Sequence, residues 1–163
     1  MQQCRGTVEA MGQDWVRVDY MEPAEAVRLL LAGVPEYQAM YGEEAPVATG
    51  QDREPLLHVV FGNLALFYER EVAGRHYLER RFWHTIEQLA SSGGRYVADD
   101  ALAGSFIEHF CLGDEAQQRL IEEAAEFQGP ATRKYVEFYS RGLQAEPARL
   151  ARRLEKARRR ATE

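Results

Sequence analysis

Little in this chain speaks of covalent or metal chemistry. It has two cysteines, Cys4 and Cys111, set 107 positions apart, and no Cys-x-x-Cys. Such spacing excludes both a disulfide framework and a cysteine zinc site, and Cys111, inside FIEHFCLG, reads as a buried thiol. The four histidines, His58, His76, His84 and His109, show neither His-x-x-x-His nor His-Glu-x-x-His spacing. A Glu-x-x-His pair, which a carboxylate-bridged metal bundle needs, occurs only reversed, from His84 to Glu87. Long apolar runs are missing as well. Nothing approaches the roughly 20 residues of a membrane span, and the opening MQQCRGTVEAMGQDW lacks the apolar core of a signal peptide. The expectation is a cytoplasmic protein with no membrane partner.

Nucleophilic machinery is equally thin. Ser105 lies mid-helix and Cys111 in an apolar run, neither on the strand-to-helix elbow that exposes a nucleophile. Glu108 and His109 are sequence neighbours, so they leave a helix on different faces. Asp99 and Asp100 fall near a helix start, where carboxylates favour the dipole. Gly93-Gly94 has no following lysine and no preceding strand, so it reads as a helix stop and not a phosphate cradle. The chain is read as non-enzymatic, with no cofactor.

What is present is helical periodicity. Leu, Ala, Glu and Arg are abundant, and the hydrophobic share of 45% supports one core in 163 residues. Pro23 opens a helix that ends near Gly33 and buries Val27, Leu30 and Leu31. Pro35 starts a short helix through Tyr41, with Gly42 as a left-handed cap. An acidic loop, 43–54, follows. From Pro55, Leu57, Val60, Phe61, Leu64, Tyr68 and Val72 mark a central helix. Residues 76–92 put Leu78, Phe82, Ile86 and Leu89 inward and Glu79, Arg80, Glu87 and Gln88 outward. Helices are expected at 96–112, after the cap Asp114, and from Ala131 to Leu143. Short connections favour antiparallel neighbours. The fold expected is all-α: an irregular multi-helix bundle with antiparallel, solenoid-like hairpins. It divides into an amino-terminal arm (1–21), a helical domain (22–146) and a basic carboxy-terminal helix or tail (147–163).

Charge is split along the chain. Residues 141–163 hold eight basic groups against three acidic ones, and residues 1–140 hold 12 against 23. An acidic body attracts cationic partners and repels phosphates. The tail lacks the interleaved aromatics of a single-strand binder, so nucleic acid is not an expected partner except through the basic groups of that tail.

Several stretches resemble a family of small, uncharacterised bacterial helical proteins, some of them similar to toxin-neutralising immunity proteins. The resembling pieces are PEY at 35–37, HVVFGNLALFYE at 58–69, IEQLASSG at 86–93, ADDALAGSFIEHF at 98–110 and GPATRKY at 129–135. The resemblance implies a helical fold and a protein partner, plausibly a cognate toxin with a basic surface, and it brings no catalytic residues. The expected partner-binding residues are Glu36, Tyr37, Tyr41, Glu43, Glu44, Glu108, Glu122 and Glu126, with the tyrosines as anchors and the carboxylates as orienting charges. One alternative is a small metal- or ligand-binding bundle enzyme using His58, Glu69, His84 or His109 in an interhelical pocket. Another is a nucleic-acid-associated regulator using the basic tail.

Overall fold

A computed structural model describes residues 21–44 and 54–142, and the chain is all-α. Helix α1 spans Pro23–Gly33, with Glu22 as its N-cap residue and Pro23 in the first turn. Helix α2 spans Tyr37–Glu44, α3 Leu57–Phe67 and α4 His76–Ser92. A short α5, Glu108–Cys111, precedes α6, Glu115–Glu123, and a 3₁₀ turn, Ala124–Glu126. The last described helix, α7, runs over 130–142. The amino-terminal arm up to residue 20, the centre of the acidic loop and the basic tail lie outside the described residues.

Two corrections concern backbone geometry. Gly42 lies within α2 and does not cap it. The described glycines with positive φ are Gly74 (78°) and Gly94 (64°), the two that break the chain on either side of α4. The span expected as a single α-helix over 96–112 is a π-helix from Arg95 to Ile107 that tightens into α5. Its buried positions are Val97, Ala98, Ala101, Leu102, Ala103, Phe106 and Ile107. Helix α3 likewise ends in a π-helical turn, Tyr68–Val72.

The core gathers where these segments meet. Tyr68, Phe82, Trp83, Phe106 and Phe110 contact one another with ring centroids 5.0–6.3 Å apart, mostly edge to face. Each such buried ring contributes on the order of 2–3 kcal/mol from its burial. The main packing joins the long π-helix to α3 and to α4, and α1 to α4; α3 with the π-helix and α1 with α4 are pairs separated along the chain by other elements. Close approach of α1 to α4 depends on Gly33, where a Cβ would fall 2.1 Å from Thr85 Oγ1.

Of the α4 residues expected to point outward, Arg80 and Gln88 are exposed, and the two glutamates are corrected. Glu79 is 8% exposed and accepts the Tyr68 hydroxyl at 2.8 Å, while Trp83 Nε1 donates to the same hydroxyl at 3.2 Å. Glu87 is half-buried and caps α7. An apolar stripe one helix turn wide leaves these flanking carboxylates against neighbouring helices once α4 is surrounded. Asp114 is the N-cap of α6 as expected, in a capping box with Gln117.

Candidate functional site

The expected partner-binding residues separate into three places. Glu36 and Glu43 border a cleft of about 480 Å³ between α2, the π-helical turn and α4. Its apolar lining comes from Met40, Phe67 and Leu78, and its rim carries Arg70 together with the Glu71–Arg75 ion pair at 3.4 Å. Glu36 is exposed and pairs with Arg81 of α4. Burial works to raise the Glu36 pKa, but the hydrogen bond and charge of Arg81 outweigh it and hold the carboxyl below its ordinary value. The Arg81 guanidinium in turn sits 6.0 Å from the centroid of the Tyr77 ring, which is 80% exposed. A carboxylate, a guanidinium and an uncovered aromatic ring thus form one ladder that starts at the cleft's edge.

Tyr37 is not an anchor for a partner. It is 1% exposed, its hydroxyl donates to the Val60 carbonyl at 3.0 Å, and its ring packs on Phe67 at 5.3 Å. Being the first residue of α2, it faces α3 and ties the two helices together. Tyr41, half-buried, leans on Tyr37 at 6.2 Å. The side chain of Glu44 lies outside the described residues.

Glu108 borders a second, shallower hollow of about 370 Å³ with Ser105, His109 and Gln117. It is half-buried and bonded to Tyr139, whose hydroxyl pKa is raised by burial and then by this carboxylate. Around the hollow, Glu69 Oε1 lies 2.6 Å from His109 Nε2 and 3.0 Å from Gln117 Nε2. The Gln117 oxygen accepts the Asp114 N–H, which fixes its nitrogen toward Glu69. Gln117 Nε2 also lies 2.9 Å from His109 Nε2, so carboxylate, imidazole and amide form one compact cluster. His58 Nδ1 lies 2.8 Å from Ser105 Oγ at the same end of the long π-helix. The structure therefore pairs Glu69 with His109, sets His58 against Ser105 and Tyr96, and leaves His84 exposed on α4, apart from them. Among the described residues no group of three or more His, Cys, Asp or Glu side chains could hold a metal ion.

Glu122 and Glu126 are exposed near the end of α6 and in the following turn. Glu122 borders a third pocket, of about 400 Å³, between α6 and α7. Cys111 lines it too, and burial raises the pKa of its thiol, so it is a neutral wall group.

Sequence reasoning missed Tyr77, Arg81 and Arg70. The signal was present for the first two: the stripe Leu78, Phe82, Ile86 and Leu89 turns positions 77 and 81 away from the core. No described helix is long and apolar enough to cross a membrane. Compared with known proteins, the chain matches no protein-family model, no curated protein and no solved structure.

Proposed function

We propose that this protein is a non-enzymatic binding module that neutralises a bacterial toxin by covering part of its surface, with the α2–α4 cleft as the centre of contact. The observation that carries the reading is the cleft itself: a small apolar floor of Met40, Phe67 and Leu78 ringed by Glu36, Glu43, Arg70, Glu71 and Arg75, with exposed Tyr77 linked to its edge through Arg81 and Glu36. Aromatic and arginine side chains beside a pocket are the composition from which interface hot spots are built. Exposed Glu43, with no ion-pair partner among the described residues, suits a basic toxin by steering its approach. The test is co-expression with toxins encoded beside the gene. A toxin that is captured and loses toxicity in the presence of this chain supports the reading; capture of none of them, with toxicity undiminished in all, ends it.

A second reading, a small ligand-binding bundle, draws on the Glu69–His109–Gln117 cluster. A carboxylate that orients an imidazole is a common support for proton transfer or ligand contact. Replacing His109 by Ala separates the two readings, because the cleft lies elsewhere and toxin capture should survive that change.

A further inference from the structure

The pocket between α6 and α7 has an unusual polarity. Its walls at Ile121, Ala125 and Val136 are apolar, and none of its lining side chains is a cation. Each glutamine has one N–H engaged by a backbone carbonyl. Gln118 Nε2 donates to the Gly113 carbonyl at 2.8 Å, and Gln128 Nε2 donates to the Ile121 carbonyl at 2.9 Å. Only the nitrogen end of a glutamine can face a carbonyl, so each amide orientation is fixed and its Oε1 is left to accept. The Ser140 hydroxyl is directed at Cys111 Sγ, 4.0 Å away, which likewise leaves its lone pairs. Glu122, exposed and without an ion-pair partner among the described residues, adds a formal negative charge to the lining. Arg133 of α7 gives its guanidinium to the Ala125 carbonyl at 3.1 Å.

An apolar wall with several acceptors and one carboxylate calls for a ligand that is all donor at one end and aliphatic along its stem. We propose that this pocket binds a primary alkylammonium group, with Glu122 as counter-ion and Gln118, Gln128 and Ser140 as hydrogen-bond acceptors. An ammonium suits it because its charge is compact and its three N–H donors can be shared among separate oxygens. The stem packs on Ile121, Ala125 and Val136. The same chemistry is offered by a free diamine and by a lysine side chain of a protein. The site is separate from the α2–α4 cleft and does not depend on the toxin reading.

The experiment is a titration of the full chain, labelled with ¹⁵N, with n-pentylammonium chloride, using n-pentanol as the uncharged isostere. Saturable shifts at the amides of residues 121, 125, 136 and 140, with at least tenfold weaker binding of pentanol, are expected. Glu122→Gln should weaken pentylammonium binding at least tenfold while leaving the spectrum folded, since Glu122 is exposed. Ala125→Trp, also at an exposed position, should block the pocket. Equal binding of pentanol, or unchanged binding in Glu122→Gln, would overturn the proposal. Cadaverine and Nα-acetyl-lysine methylamide distinguish the sources: tighter binding of the diamine assigns a free amine, and tighter binding of the lysine derivative assigns a protein side chain. Binding of neither overturns the site.

Discussion

Glu87 of α4 and Thr132 of α7 form a helix cap across 45 residues of sequence. Glu87 Oε2 accepts the Thr132 backbone N–H at 2.9 Å and its hydroxyl at 2.8 Å, while Oε1 accepts the Ala131 N–H at 2.8 Å. The carboxylate thereby satisfies donors that the first turn of any helix leaves open, and its charge opposes the positive end of the dipole. Glu87→Ala is expected to destabilise the fold by about 1–3 kcal/mol, since buried Thr132 then loses its partner. Urea unfolding measures it, and a change under about 0.5 kcal/mol, the range of an ordinary surface substitution, would contradict the account.

The same cap should be visible in pH dependence. Burial works to raise the Glu87 pKa, but the three hydrogen bonds from Thr132 and Ala131, with the charge of Arg133, prevail and hold it below its ordinary 4.5. A depressed folded value means that the unfolded chain takes up the proton first as pH falls. The contribution is fully present above 4.5 and disappears as pH drops through the lower folded value. The stability gap between wild type and Glu87→Gln should therefore narrow below that pH. A gap that widens there would reverse the sign.

Glycine substitutions separate space from propensity. At Gly33 an added methyl meets Thr85, which is buried and holds the Arg81 carbonyl at 3.1 Å. The gain of about 0.5–1 kcal/mol from helix propensity is outweighed by a strain of about 1–3 kcal/mol, so Gly33→Ala lowers the melting temperature. At Gly62, inside α3, a Cβ meets nothing within 4 Å, and Gly62→Ala raises it. A rise in melting temperature for Gly33→Ala, as for Gly62→Ala, would show that α1 and α4 do not approach as described.

The buried hydroxyl of Tyr68 links Glu79 to Trp83. Burial raises its pKa, so it stays a protonated donor to the carboxylate. Removing it in Tyr68→Phe leaves the Glu79 oxygen and the Trp83 N–H without that partner, and is expected to cost about 1–3 kcal/mol. Thermal unfolding of Tyr68→Phe beside Tyr96→Phe, whose ring is half-buried outside this network, checks it. Equal losses would mean that the hydroxyl of Tyr68 adds nothing of its own.

Much of the fold was legible because it follows local rules. Pro23, Gly74, Gly94 and Asp114 mark element ends through backbone freedom, a missing N–H or a capping side chain, each of which acts within a few residues. The π-helical winding of 95–107 was not legible, since Val97, Ala98, Ala101, Leu102 and Phe106 keep spacings that an ordinary α-helix also buries. The site was less legible still. Tyr37 reads as an exposed anchor until α3 is seen against it, and Glu79 and Glu87 read as solvated until Tyr68 and Thr132 reach them. Pairs such as Glu69–His109 span 40 residues, and no local spacing reports them.

Hydrogen exchange on the protein bound to its captured toxin tests the central claim most directly. Amides of 36–43 and 75–81 should gain protection on binding, and Tyr77→Ala should weaken the complex by at least tenfold, about 1.4 kcal/mol, the loss of a modest hot spot. Protection confined to other surfaces, with Tyr77→Ala binding as tightly as wild type, would contradict it.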